Sequence, residues 1–160
     1  MKRPEREFEK AFADYASLRK CLYLKIPDVI VTKEMLSTAS GRGRLSASKR
    51  PADGVLVTKY GAVLIELKAG SSPAKDHQKA YCGLANYIYS GSYLFIRKTA
   101  KGYNIEFINE VSKSVLSKAL TLPELLSKIE ELQKTSQNME KSLDGKSGIV
   151  NLGTIKKRSC

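Results

Sequence analysis

The chain has 160 residues, the length of one domain, and its hydrophobic fraction of 42% excludes disorder of the whole chain. No apolar run approaches the roughly 18 residues that span a bilayer, and the charged N-terminal residues argue against secretion. The net charge of +12 indicates a polyanionic partner, nucleic acid ahead of an anionic membrane, unless the chain is a basic protein with no specific partner.

The three cysteines bear on the compartment. Cys21, Cys82 and Cys160 are an odd number with no CxxC spacing, which disfavours a zinc cage and a disulfide framework. We therefore expect a reducing compartment: the cytoplasm of a prokaryotic cell, or of a host cell if the protein is viral. We expect neither a membrane partner nor an organic cofactor.

The first predicted elements are a helix, an interrupted strand and a loop. Pro4 in a first turn and an apolar stripe that starts at Phe8 predict a helix over about 4–20. Residues 21–32 are rich in β-formers and predict a strand that breaks at Pro27. Residues 37–50, STASGRGRLSASKR, predict a mobile basic loop.

The rest of the chain predicts a hairpin, a helix, a second strand pair and a last helix that Thr121 and Glu124 open as a capping box. This order predicts a mixed α/β domain over residues 1–142, around one small sheet, with a basic and flexible tail over 143–160. The predicted ranges are strands 54–58 and 62–67, a helix over about 74–90, strands 93–97 and 103–108, and a helix over about 121–141.

Three charged residues converge at one end of the predicted hairpin. Asp53 precedes its first strand, and Glu66 and Lys68 end its second strand on the same face, with Leu67 pointing into the core. Two carboxylates and a main-chain carbonyl, that of Leu67, are oxygen ligands that suit Mg²⁺, and we expect Mn²⁺ to substitute. Lys68 would orient or deprotonate a water, or neutralise a phosphate. The alternative is that Glu66 and Lys68 form a solvated surface ion pair.

Pro51-Ala52-Asp53, then twelve residues, then Glu66-Leu67-Lys68 resembles the signature of the PD-(D/E)XK nuclease superfamily. The resemblance extends over about residues 5–108. Within the superfamily the chain is most similar to the small Holliday-junction resolvases of the archaeal type and their bacterial relatives. The resemblance implies a restriction-endonuclease-like core, with a small mixed central β-sheet flanked by helices, and metal-dependent hydrolysis of DNA phosphodiester bonds by Asp53, Glu66 and Lys68.

The same resemblance implies further site residues. These resolvases carry a catalytic glutamate on the first helix and a basic residue on the next strand, which Glu9 and Lys25 match. Glu5, one helical turn earlier, is the competing match. The pair His77-Gln78 also resembles bacterial resolvases, and it implies that Gln78 hydrogen-bonds a metal-bound water or the scissile phosphate. For His77 a structural role is the alternative.

The loop over 37–50 is the expected DNA-engaging element, because cations on a Gly/Ser backbone can order onto phosphates. Its alternative is a solvated charged loop. These cations are Arg42, Arg44, Lys49 and Arg50.

The expected function is that of a Mg²⁺-dependent, structure-selective DNA endonuclease. A Holliday-junction resolvase that works as a homodimer fits best, since two symmetric cuts in branched DNA need two sites in matching geometry. The alternatives are a nonspecific, flap-cutting or restriction-type nuclease on the same core, and a non-catalytic DNA-binding module.

Overall fold

The computed structural model describes residues 3–27, 50–88 and 90–143. The predicted loop over 37–50, apart from Arg50, and the tail after residue 143 lie outside the described residues. Within the described ranges the elements are α1 (Pro4–Leu18), β1 (Leu22–Lys25), β2 (Gly54–Thr58), β3 (Gly61–Ala69), α2 (Asp76–Ile88), β4 (Tyr93–Thr99), β5 (Gly102–Ile108), β6 (Lys113–Ala119) and α3 (Leu122–Leu143).

The strands form one six-stranded mixed sheet in chain order from β1 to β6. Neighbouring strands are antiparallel except β3 and β4, which are parallel, and α2 lies in the connection between them. The predicted hairpin of β2 and β3 is confirmed, with Gly54 opposite Ile65 and Thr58 opposite Gly61. The protein is therefore an α/β protein with a mixed sheet.

Separate hydrophobic clusters cover the two faces of the sheet. On one face, α1 contributes Phe8 and Phe12 and α3 contributes Leu126 and Ile129 to the larger cluster. On the other face, a smaller cluster joins Cys82 of α2 to residues of β4 and β5. The sheet therefore separates α1 and α3 from α2.

The alternation of β3 positions the charged residues. Val63, Ile65 and Leu67 belong to the cluster on the face of α1 and α3. Leu64 packs against the cluster on the α2 face. Because side chains alternate along a strand, Glu66 and Lys68 lie on the same face as Leu64. On this face of β3, the side chains that follow Leu64 are therefore charged instead of apolar.

The start of α3 confirms the Thr121 half of the predicted capping box, and Glu124 takes a different donor. The Glu124 N–H donates to Thr121 Oγ1 at 3.3 Å, and the Glu124 carboxylate accepts from the Leu120 N–H at 2.8 Å. The side chain thus reaches the amide one residue before the N-cap, whereas a capping box uses the N-cap amide. Both contacts satisfy donors that a helix start leaves unpaired.

The edge strand β6 was not predicted. Its residues are mostly exposed, including Val115 and Leu116 on opposite faces, so its sequence lacks the apolar alternation of a half-buried strand. Pairing with β5 makes it a strand.

A helix that spans a membrane needs sufficient length and hydrophobicity. Within the described ranges, none of the helices is long and apolar enough to cross a membrane.

Candidate active site

Asp53 is tied across the hairpin to the end of β3. Its Oδ2 accepts a hydrogen bond from the Leu67 N–H at 2.8 Å. Its Oδ1 accepts from Arg50 Nη2 at 2.7 Å in an ion pair. β2 starts with Gly54 opposite Ile65, and the charge of Asp53 raises the pKa of Glu66, so the two carboxyl groups are near each other. The expected convergence of Asp53 with the end of β3 is therefore present.

The turn before Asp53 is anchored to the α2 face of the sheet. The Tyr93 hydroxyl donates to the Pro51 carbonyl at 2.6 Å, and the Ala52 side chain is buried in the smaller cluster. These contacts hold Pro51-Ala52-Asp53 against β4. The backbone that carries Asp53 is thus fixed by packing that is independent of the carboxylate.

Glu66 and Lys68 are buried together at the end of β3. Their residues are 4% and 5% exposed, and Lys68 Nζ lies 3.3 Å from Glu66 Oε1. The alternative of a solvated surface pair is therefore wrong. Gln78 of α2, itself buried, donates its amide to Glu66 Oε1, and its own oxygen accepts from the Lys75 N–H at 2.9 Å. These bonds fix the orientation of the carboxylate.

Burial changes the acidity of both carboxyl groups. The pKa of Glu66 is raised to about 7, first by burial and then by the charge of Asp53, while Lys68 acts to lower it. The pKa of Asp53 is also raised by burial, while its bond from the Leu67 N–H and the charge of Arg50 oppose the rise. Partial burial of Asp53 and burial of Glu66 disfavour the charged forms of both carboxyl groups, and a bound cation would offset that cost.

Glu9 of α1 lies close enough to affect Asp53. Its Oε1 accepts from the Tyr23 hydroxyl at 3.1 Å, and its Oε2 pairs with Lys25 Nζ at 2.9 Å. Its charge contributes to the raised pKa of Asp53. The pKa of Tyr23 is raised too, first by burial and then by Glu9. The sequence analysis did not identify Tyr23 as a site residue. The only signal for Tyr23 in the sequence is its position two residues before Lys25, which places both side chains on the same face of the strand.

A polar cavity of about 200 Å³ opens between α1 and the end of β1. Both candidate glutamates of α1, Glu5 and Glu9, line it together with Asp53. Glu5 therefore stays a candidate beside Glu9. The other lining residues are Arg3, Arg6, Lys25 and Arg50.

The predicted phosphate-binding cations separate into two groups. Arg42, Arg44 and Lys49 lie outside the described residues. Arg50, predicted with them, pairs with Asp53 and also donates to the Ile26 carbonyl at 3.2 Å. It therefore links β1 to Asp53, a position that its place in a basic loop did not indicate. His77 is half-buried on α2 beside Gln78.

The donor set of this site suits a hard cation. Asp53 and Glu66 supply carboxylates, and the Leu67 carbonyl points to the Asp53 side, because the N–H and C=O of one strand residue face the same neighbour. Among the described residues no group of three or more His, Cys, Asp or Glu side chains is placed to hold a metal. Two carboxylates, one carbonyl and waters nevertheless match the ligands that Mg²⁺ accepts. These residues fit the ion.

The comparisons with known proteins add no relative. No protein-family model matches the chain, and no curated protein matches it at a significant level of similarity.

Proposed function

We propose that this protein is a Mg²⁺-dependent, structure-selective DNA endonuclease of the PD-(D/E)XK superfamily, built on a restriction-endonuclease-like core. We assign it to the resolution of four-way junctions as a homodimer. One observation carries the proposal: Asp53, Glu66 and Lys68 are packed together at one end of β3, in a chain with a net charge of +12. Burial of such a set has a cost that surface residues avoid, so a functional use explains it.

The metal ligands are Asp53, Glu66 and the Leu67 carbonyl, for Mg²⁺ or Mn²⁺. Bound there, the ion would stabilise charge on the phosphate and acidify a water. Lys68, held 3.3 Å from Glu66, orients the attacking water or neutralises a phosphate oxygen. Gln78 keeps Glu66 in one orientation through its amide bond.

Around this centre, α1 and β1 supply cations for the DNA backbone. The Lys25 side chain is 57% exposed although it pairs with Glu9, so it reaches both the cavity and solvent. Arg3 and Arg6 line the same cavity. We assign these groups, with Arg42, Arg44 and Lys49 of the basic loop, to contacts with phosphates, which position the substrate without reading its sequence.

The outer face of α2 is the proposed homodimer surface. Residues 80–96 contain no Asp, Glu, Lys, Arg or His, which is unusual in a chain this basic. Within this stretch, Leu84 is 58% exposed, Ile88 is 74% exposed and Tyr87 is 90% exposed. Val111 of the β5–β6 turn, 91% exposed, lies beside Leu84 and Tyr87. Exposed apolar patches mark interaction surfaces, and an uncharged patch lets two basic copies approach.

The test is a substrate panel. A labelled four-way junction, a flap, a linear duplex and a single strand are incubated side by side with Mg²⁺ or with EDTA. We expect paired symmetric nicks in opposed strands of the junction, little cleavage of duplex, and none in EDTA. Ca²⁺ is expected to support binding without cleavage.

The other outcomes separate the alternatives. Equal cleavage of duplex and single strands would favour a nonspecific nuclease, cuts at the flap would favour a flap-cutting enzyme, and cuts that follow one sequence would favour a restriction-type enzyme. Binding without any cleavage in Mg²⁺ or Mn²⁺ would favour the DNA-binding module.

A further inference from the structure

A second cavity, of about 590 Å³, lies between the segment that joins β3 to α2 and the β5–β6 turn. Its volume is in the range of ligand sites in proteins, about 300 to 1,000 Å³. Three cations line it, Lys79 of α2, Arg97 of β4 and Lys113 of β6, and serines stand on both sides. None of these residues belongs to the site described above.

Arg97 is held as a built component of this cavity. Its side chain is only 8% exposed, and its Nε donates to Glu106 Oε1 at 2.8 Å. Its Nη1 donates to the carbonyls of Gly70 and Ser72 at 2.9 and 2.7 Å. These three bonds fix the plane of the guanidinium group.

The remaining nitrogen of Arg97, Nη2, has no hydrogen-bond partner within the described part of the chain. No fully buried side-chain nitrogen or oxygen in that part lacks a partner, so Nη2 is not enclosed by protein. Arg97 lines the cavity, and Nη2 is its one side-chain nitrogen left without a described partner. An oriented, largely desolvated guanidinium nitrogen with unused donors is suited to a phosphate oxygen.

The charge around the cavity favours an anion. The only carboxylate in contact with these cations among the described residues is Glu106, which binds Arg97 and lies 3.9 Å from Lys113 Nζ. Three cations against one carboxylate leave two positive charges uncompensated. The Glu106 side chain is 2% exposed and contacts Arg97 and Lys113, so its carboxylate does not face a ligand in the cavity.

The cavity adjoins the candidate active site. In the parallel register of β3 and β4, Lys68 is paired with Arg97, so the two side chains are neighbours on one face of the sheet. Gly70 follows Lys68 by two residues, and Lys79 follows Gln78 directly. Two residues span at most about 7 Å of chain.

We infer that this cavity binds a phosphate of the DNA backbone close to the scissile one, through Arg97 Nη2 and the ammonium groups of Lys79 and Lys113. The inference rests on the proposed function, because DNA is the phosphate source placed next to it. Such a contact would hold the substrate strand beyond the cut and fix its register on the site.

The first test measures binding of an uncleaved junction in Ca²⁺ as a function of salt. In the double variant Lys79→Gln, Lys113→Gln we expect weaker binding and a log–log salt slope lower by at least about 0.9, the contribution of one phosphate contact. The matched control is Lys128→Gln, Lys134→Gln on α3, which removes the same charge from the opposite face of the sheet. The control is expected to keep the wild-type slope. An unchanged slope in the Lys79 and Lys113 variant would overturn the inference.

The second test uses inorganic phosphate and needs no nuclease activity. Titration into the wild-type protein is expected to shift the Arg97 Nε–Hε signal in the NMR spectrum, and the double variant is expected to lose most of that shift. Absence of a shift in the wild type would overturn the site. If phosphate shifts the Arg97 signal but the double variant keeps the wild-type salt slope of junction binding, the cavity binds an anion other than DNA, and the proposed DNA contact is refuted.

The two proposals fail in different ways. A protein that cleaves junctions normally, with the same salt slope in wild type and variant, refutes only this cavity's role. A protein that neither binds nor cuts branched DNA refutes the proposed function, and the DNA contact with it.

Discussion

Glu66 shows how burial and a neighbouring charge change the chemistry of one residue. It lies on the face of β3 that Leu64 shares with the smaller cluster, and it is 4% exposed. There its pKa rises to about 7 from a usual 4.5, because burial penalises the charged form and Asp53 adds a second negative charge. Lys68 and Gln78 compensate this cost only in part. Because Glu66 is buried despite this cost, we expect it to have a functional role.

Removing either carboxylate is expected to abolish cleavage and leave DNA binding intact or stronger. Asp53→Asn and Glu66→Gln each delete a proposed metal ligand and a negative charge that would repel phosphate. Nicking of the labelled junction in Mg²⁺ measures the first effect, and junction binding in Ca²⁺ measures the second. The matched control is Glu131→Gln, whose carboxylate is 67% exposed on α3. Normal cleavage by both site variants would refute the assignment.

The raised pKa of Glu66 makes a prediction about stability without metal. Below about pH 4.5 the group is protonated in both the folded and unfolded states, so it has no effect on the free energy of unfolding. Between about pH 4.5 and about pH 7 the carboxyl group ionises in the unfolded state but not in the folded state, so the free energy of unfolding falls as the pH rises. Above about pH 7 the group is ionised in both states, and the loss of stability is complete. A shift of this size corresponds to at most about 3 kcal/mol.

Glu66→Gln removes this titration. In EDTA, we expect the free energy of unfolding of the variant to rise relative to wild type between about pH 5 and about pH 8, when both are followed by denaturant unfolding. Comparing the two proteins at each pH cancels the other titrating groups, apart from Asp53, whose raised pKa acts in the same direction as that of Glu66. A difference that does not change with pH would show that Glu66 titrates as an exposed carboxylate.

At the scale of one element, α1 presents two glutamates to one cavity. Glu5 and Glu9 are one turn apart and share a helix face. The contacts favour Glu9, because it binds Tyr23 and Lys25 and its charge affects Asp53. Glu5 sits in the first turn, where the helix dipole alone explains an acidic residue.

We therefore expect Glu9→Gln to lower the cleavage rate by orders of magnitude and Glu5→Gln to leave it nearly unchanged. The two variants are controls for each other, since each removes one charge from the same helix face. Single-turnover rates on the junction measure the effect, and thermal unfolding checks that both variants remain folded. A large loss for Glu5→Gln alone would move the assignment to Glu5.

At the scale of the whole molecule, two surfaces differ in charge. The end of β3 and the cavities around it carry cations, whereas the outer face of α2 carries exposed apolar side chains and no charge between residues 80 and 96. A twofold dimer through Leu84, Tyr87 and Ile88 would join two copies through uncharged side chains.

Charges placed on this face are expected to separate the copies. Leu84→Glu with Tyr87→Glu should give a folded monomer, since both side chains are more than half exposed, and should remove paired symmetric nicking. Sedimentation and junction cleavage measure the two effects. Leu116→Glu on β6, where the side chain is 45% exposed, is the control and should stay dimeric. A wild-type protein that is monomeric at high concentration would refute the homodimer and weaken the resolvase assignment.

Much of the arrangement was predictable from the sequence, because it depends on local rules. The turn residues between β2 and β3, the two-residue alternation and the spacing of twelve residues place Asp53, Glu66 and Lys68 at one end of a hairpin. The capping box and the apolar stripe of α1 likewise act within a few residues of chain. Their roles in catalysis stay predictions.

Only the tertiary structure decided what lies against what. The burial of Glu66 and Lys68 depends on α2 covering their face, and the bond from Arg50 to the Ile26 carbonyl joins residues far apart in the chain. The strand β6 has no apolar period of its own and forms by pairing with β5. Arg97 appears in sequence as the charged end of an apolar strand. Its partner Glu106 and its cavity come from strands and turns that meet only in the folded sheet, because burial and ion pairing are set by neighbours distant in the chain.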